Sequence, residues 1–355
     1  MVQNVDKITK QEWLEATFPE WGTWLNEEIA NYEVPKDNFS MWWLANMGIW
    51  LKSDQGTNVT VDMYCTTGKR TIGDGKMAIG HQMMRMSGGR ELQPNRRNQP
   101  FVIDPFEVKD IDVFLVTHTH SDHLCFYSAA GTYRNCPDAL FVGPQAVVDT
   151  WIEWGIPKER THVLTVNETI EVKDVKITGL ESFDRTALIT EPDPNVKLAG
   201  TKVKDMDLIA LNYLIETSGG SVYHGGDSHY SNLYAKHGKE HDIDVHLGAF
   251  GENPIGITDK LTSADFLKAA EALQVDVTIP IHHDIWTNFY ADPREITLLW
   301  EFKKARMGYK FHPFIWQVGG QYTYPQDREL TEYMYYRGFS DIFENDYDTP
   351  FPSFL

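Results

Sequence analysis

The stretch Thr117-His118-Thr119-His120-Ser121-Asp122-His123, set at the end of the apolar run IDVFLVT (111–117), constrains this chain more than any other feature. Three imidazoles and a carboxylate packed this densely resist desolvation, and a folded interior accepts them only when they are paired or ligate a cation. A strand end fixes the backbone, so His118 and His120 at i and i+2 project to one side. The turn that follows brings Asp122 and His123 round to a second position. One short loop can therefore serve two metal ions, which accounts for the pattern better than a set of helix-capping histidines does.

Three further segments place chemistry at strand ends. In YHGGDSHY (223–230), Gly225 and Gly226 let the backbone approach closely before Asp227, although Asp227 would also serve as the N-cap of a following helix. In IPIHHDIW (279–286), the strand VDVTIPI delivers His282 and His283 at its carboxyl end, where sites of α/β proteins lie. In ESFDRTALIT (181–190), Asp184 and Arg185 follow another strand, with a surface ion pair as the alternative reading. The other histidines are scattered, and His224, His229 and His237 stand near Asp227 in sequence.

Around these segments the pattern alternates between strands and helices. Residues 1–35 read as an acidic helical extension bearing Trp13, Trp21 and Trp24. Short β-like runs begin near residue 40, with Val59, Val61 and Met63 alternating with Thr60 and Asp62. Residues 66–100 carry many Gly, Met and Arg without periodicity and read as an insertion or lid. A capped helix is expected at 262–273 with Thr262 as N-cap. The expected organisation is one hydrolase domain over 36–320, followed by an acidic, aromatic extension at 321–355 that covers a surface or a subunit contact. That extension makes a homo-oligomer the expected state.

Composition removes several classes. Lys and Arg total 32 against 51 Asp and Glu, a net charge of −19 that repels polyphosphate backbones, so nucleic acid is not an expected partner. The 3 cysteines form no Cys-x-x-Cys pair, which fits a reducing compartment. No apolar run is long enough for a signal or a membrane span, so a cytoplasmic protein without membrane contact is expected. A Gly-x-Gly-x-x-Gly after a strand, a Walker A loop and a Gly-x-Ser-x-Gly elbow are all missing.

Strand-ending His-x-His-x-Asp-His, a downstream Gly-Asp-Ser and a late strand-ending His resemble the metallo-β-lactamase superfamily. The resemblance implies an α/β fold, a four-layer αββα sandwich with its site at one edge of two sheets. It also implies that His118 and His120 ligate a first metal, that Asp122, His123 and His282 ligate a second, and that Asp227 bridges them. Asp62 matches an aspartate that supports the ligands, and His283 is the less favoured neighbour of His282. Asp184 stands where most of the superfamily has histidine, and an oxygen donor there tilts the site from Zn2+ toward Mn2+ or Mg2+.

FPEWG (18–22), MWWL (41–44), FDRTALIT (183–190), GGDSHYSN (225–232), GITDK (256–260), HHDIW (282–286) and PFIWQVGG (313–320) resemble, more narrowly, the bacterial L-ascorbate-6-phosphate lactonases. That likeness implies a cytoplasmic enzyme acting on a sugar-phosphate lactone, whose ring metal-activated hydroxide opens to give 3-keto-L-gulonate 6-phosphate. In this reading Asp122 positions the nucleophile and His229 is the candidate acid for the leaving ring oxygen. Arg185 is the best-placed cation for the phosphate, with Lys69, Arg70, Arg85, Arg90, Arg96 and Arg97 as others. The rival reading is a metal-dependent phosphodiesterase or nuclease of the same superfamily, which should carry a basic exosite.

Overall fold

Alternating apolar residues build two facing sheets, seen in a computed structural model that describes residues 3–68, 96–184, 205–251, 260–286 and 291–333. The first sheet contains β1 (Phe39–Trp43), β2 (Ile49–Ser53), β3 (Asn58–Val61), β4 (Val113–Leu115), β5 (Leu140–Gly143), β6 (Thr161–Val163) and β14 (Gln321–Tyr324). Its order is β14-β1-β2-β3-β4-β5-β6. The second contains β7 (Thr169–Val172), β8 (Val175–Glu181), β9 (Leu211–Thr217), β10 (Gly220–His224), β11 (Val245–Ala249), β12 (Val277–Ile281) and β13 (His312–Pro313), in the order β13-β12-β11-β10-β9-β8-β7.

Each sheet is antiparallel in one half and parallel in the other. From β3 to β6 and from β10 to β13 all neighbours run parallel. Parallel strands bring their carboxyl ends to one edge, so Asp62 follows β3, the histidine loop follows β4, Asp227 follows β10 and His282 follows β12 on that edge. Two antiparallel steps separate β8 from β10, which turns the end of β8 and Asp184 the same way. The two sheets are stitched there by Leu211 N–H donating to Thr117 O at 3.0 Å.

The period of two decides the layers. Phe39, Met41 and Trp43 of β1 point between the sheets, with Val59, Val61, Ile215, Val245 and Ile279. Trp42, between them in sequence, joins Trp13, Leu25, Ile29, Phe114, Ala129 and Trp151 on the outer face. That face is covered by α1 (Lys10–Thr17), α2 (Leu25–Asn31), α3 (Phe126–Asn135) and α4 (Gln145–Glu153). Tyr223 of the second sheet packs outward on Tyr234, Phe266, Leu273 and Ile296. These come from α5 (Leu233–Glu240), α6 (Ser263–Leu273) and α7 (Arg294–Met307). The result is the expected four-layer sandwich. Thr262 caps α6 by accepting from Asp265 N–H at 3.2 Å, as its sequence signature requires. Most of the segment expected as an insertion (69–95) and the end of the chain (334–355) lie outside the described residues. No helix among the described residues is long and apolar enough to cross a membrane.

Helix α3 starts just after His123, and Gly131 lets it lie directly on the backbone at Pro105: a Cβ there would sit 1.7 Å from Pro105 O. Gly131→Ala must therefore push α3, and the histidine loop ahead of it, off the sheet. The expected cost is about 3 kcal/mol, read as a lowered midpoint in denaturant unfolding followed by tryptophan fluorescence.

Candidate metal centre

The loop after β4 turns tightly, His123 and Leu124 N–H both donating to His120 O at 2.9 and 2.8 Å. The turn buries His118 and His123 and leaves His120 and Asp122 half-buried, so these two form the open side of the site. Two donor groups result, His118 with His120 and Asp227, and Asp122 with His123 and His282, the donor atoms of each lying within 4.8 Å of one another. His118 Nε2 is 2.8 Å from His120 Nδ1 and 3.5 Å from Asp184 Oδ2. Asp227 Oδ1 is 3.4 Å from both His123 Nε2 and His282 Nε2, so it reaches from the first group into the second. Asp122 Oδ2 is 3.5 Å from His282 Nε2 and 3.8 Å from His123 Nε2.

One carboxylate orients two of these rings. Asp62 Oδ1 accepts Thr117 N–H at 2.8 Å, while Oδ2 accepts the Thr117 hydroxyl at 2.7 Å and pairs with His123 Nδ1 at 2.8 Å. Because the single Thr117 proton goes to Asp62, the same oxygen accepts from His118 Nδ1 at 3.0 Å. The network thus puts the protons of His118 and His123 on Nδ1 and leaves both Nε2 lone pairs facing the site. Asp62 and His282 both adopt left-handed backbone, φ 47° and 67°, a conformation that costs non-glycine residues about 1–2 kcal/mol. The turn before Asp227 is held by His224, whose Nε2 lies 2.9 Å from Met47 O and whose Nδ1 accepts Gly226 N–H at 3.4 Å.

The donor set fits divalent cations. His123 Nε2, His282 Nε2 and Asp227 Oδ1 are buried and make no hydrogen bond, which leaves lone pairs from three residues turned on one another. Two ligand atoms each about 2.1 Å from a tetrahedral ion stand about 3.4 Å apart, which matches the spacing around Asp227. The electrostatics agree. Burial disfavours charge on His123, yet Asp227, Asp62 and Asp122 raise its pKa well above the usual value, so the carboxylates draw positive charge to this spot. Burial works against ionised Asp122 too, but His123 and His282 hold its carboxyl well below the ordinary range. His118 is pushed down to about 4 by burial and by His123, which keeps it neutral and competent as a ligand near neutral pH.

The sequence-read residues divide as follows. His118, His120, Asp122, His123, Asp184, Asp227 and His282 converge, and Asp62 stands behind them. His283 turns away, its ring against Trp43 at 5.5 Å and Phe250 at 6.2 Å. His229 is buried near Asp227, its N–H donating to Phe183 O at 3.0 Å, and belongs to neither donor group. Arg185, Lys69, Arg70, Arg85 and Arg90 lie outside the described residues. Arg97 is committed to the fold, its guanidinium donating to the carbonyls of Gln99, Tyr64 and Pro100 and stacking 4.2 Å over Phe101. Sequence reading missed Asn46, whose Nδ2 donates to Asp122 O at 2.6 Å, and Lys260, which is 5% exposed and whose charge lowers the Asp227 carboxyl. The only signal for Lys260 was its place in the stretch GITDK.

Asp62→Asn turns an acceptor into a donor against His123 or Thr117 and misorients both rings. The expected outcome is a 10- to 100-fold loss in affinity for divalent metal, roughly, measured by titrating stripped protein, with far-ultraviolet circular dichroism unchanged.

A family model described as a β-lactamase superfamily domain matches residues 88–283. The chain is 56% identical over 355 residues, covering all of both chains, to a protein of Salmonella choleraesuis named probable L-ascorbate-6-phosphate lactonase UlaG. Among solved structures, the metallo hydrolase Igni18 of Ignicoccus hospitalis superposes with TM-score 0.53 at 15% identity, covering 81% of this chain and 98% of that one. An isothiocyanate hydrolase from Delia radicum gut bacteria superposes with TM-score 0.56 at 14% identity, covering 80% and 98%. At these identities the two structures speak for the fold alone.

Proposed function

The chain belongs to the β-lactamase superfamily as a metal-dependent hydrolase, and on that premise we propose that it opens the lactone ring of L-ascorbate 6-phosphate with water, giving 3-keto-L-gulonate 6-phosphate. The observation that carries this reading is the end-to-end identity of 56% with proteins named as that lactonase. The donor set supports it. His118, His120, Asp184 and Asp227 would hold one ion, and Asp122, His123 and His282 a second that shares Asp227. Three carboxylates among the ligands favour Mn2+ over Zn2+. Divalent ions held by these residues would lower the pKa of water toward neutrality and polarise a carbonyl.

The chain's own groups supply the rest. Asp122 sits half-buried on the open side and stays ionised, so it can accept a hydrogen bond from the attacking water and orient it toward the carbonyl carbon. Ring opening breaks the bond between acyl carbon and ring oxygen, and that oxygen needs a proton, for which buried His229 beside the Asp227 turn is the candidate donor. Lys260 adds a buried positive charge that helps hold the Asp227 carboxyl low, after His123 and His282. Arg185 remains the candidate for the phosphate by its position next to Asp184.

Metal-stripped protein reconstituted with Mn2+ is expected to turn over L-ascorbate 6-phosphate, with Zn2+ and Mg2+ supporting less. His120→Ala is expected to lose about 10³-fold or more in kcat/KM. Stoichiometric metal binding without turnover under any ion would leave the donor set standing and remove the substrate, and phosphodiester cleavage would be assayed next. Asp122→Asn is expected to lower kcat by about 10²- to 10⁴-fold, and full turnover in that variant with metal bound would remove the role given to Asp122.

A further inference from the structure

A buried line of polar side chains runs behind the donor set. Ser228, next to Asp227, is its centre: Ser228 Oγ accepts Phe183 N–H at 3.1 Å, lies 2.9 Å from Ser182 Oγ, and donates to Asn212 Oδ1 at 2.8 Å. Asn212 Nδ2 then donates to Glu181 O at 3.2 Å and to the Tyr223 hydroxyl at 2.8 Å. Tyr223 Oη lies 2.9 Å from His237 Nδ1, and His237 Nε2 lies 2.9 Å from Glu181 Oε2. Each hydroxyl and ring N–H has one proton to give and the Asn212 amide has two, so the protons run in one direction from Ser182 through Ser228, Asn212, Tyr223 and His237 to the carboxylate of Glu181. Ser182, Ser228, Asn212, Tyr223 and His237 are all at most 5% exposed.

Both ends of this line grip the segment that carries Asp184. Glu181 receives it through backbone and side chain, Ser182 enters it, and Phe183 is held on both backbone groups, N–H to Ser228 and C=O from His229 N–H at 3.0 Å. The Asp227 turn has anchors of its own, Gly225 N–H to Leu247 O at 2.9 Å and Ser228 N–H to Gly225 O at 3.0 Å. Removing the Ser228 hydroxyl therefore loosens the approach to Asp184 more than it loosens Asp227.

We propose that this line of hydrogen bonds positions Asp184, with Ser228 as the central positioning residue, and that it sets the affinity of the ion position of His118, His120 and Asp184 apart from that of Asp122, His123 and His282. The proposal rests on the two-ion reading above. It also gives the line a reason to be wholly polar inside a core that apolar side chains would fill more simply.

The test is a Mn2+ titration of stripped, full-length protein by calorimetry, with bound metal counted by elemental analysis. Wild-type protein is expected to bind two ions, and Ser228→Ala to weaken one of them about 10- to 100-fold while the other is unchanged. In a His282→Ala background, which disables the second position, Ser228→Ala is expected to weaken the remaining ion; in a His120→Ala background it is expected to add little. Two ions bound by Ser228→Ala with both affinities unchanged, or both weakened alike, overturn the positioning role and leave the two-ion reading intact. A wild-type protein that binds a single ion overturns the two-ion reading and this proposal with it. Should Ser228→Ala fail to fold, Tyr223→Phe carries the test, since it removes one hydroxyl two links further along; a smaller loss confined to the same ion is expected, and an equal loss at both ions overturns the proposal.

Discussion

The site depends on one buried carboxylate. Asp62 is fully buried at the end of β3, where ionisation is costly, and it is repaid by three contacts from the loop after β4. Those contacts fix the orientation of His123 directly and of His118 through Thr117, so both rings aim their Nε2 atoms at the site. The left-handed backbone of Asp62 is what turns its side chain from the strand's alternation toward the next loop. An apolar residue at that position would leave the loop backbone donor of Thr117 unpaired and both imidazoles free to rotate.

The sandwich makes this arrangement possible by separating its chemistry from its core. Between the sheets lie Leu51, Val61, Leu115, Ile215, Leu247 and Ile281, which stiffen the strands by close packing. The polar groups collect where the strands stop, and the strands of both sheets stop at a common edge because their parallel halves face alike. Asp227 and His282 from one sheet thereby meet His118 and His123 from the other. The half-buried members of the set, His120 and Asp122, come from the middle of the tight turn and are its more exposed side.

How much of this was legible in the sequence follows from range. His118 and His120 could be read because i and i+2 at a strand end share a side, and the alternation of Val59 and Val61 could be read for the same reason. The link from Asp62 to Thr117 spans 55 residues, and sequence alone offered only a resemblance for it. The choice between His282 and His283 was open to alternation alone, because the positive φ of His282 breaks the strand's period at that residue and sends His283 against Trp43. Arg97 looked like one of several cations for a phosphate; its role depends on three backbone carbonyls near it, two of which come from the same short turn. Ser228 carried a sequence signature as part of Gly-Asp-Ser, but its partners just after β8 and on β9 had none, since Asn212 is an isolated polar residue in an apolar run.

On the proposed reading, local charge would let an acidic chain receive an anionic lactone. Asp62, Asp122, Asp184 and Asp227 place four carboxylates at the edge, all buried or half-buried. Two divalent ions would balance them, and buried Lys260, whose charge acts on Asp227, would leave the cluster with one positive charge in excess. Interactions between buried charges are screened far less than those at the surface, so with both ions bound this local excess would outweigh the chain's net −19 at close range. The same balance explains why the centre tolerates oxygen from Asp184 where an imidazole would be neutral. Without that fourth carboxylate, two ions and a lysine would carry two positive charges in excess, and a site so charged would hold an anionic product as firmly as it received the substrate.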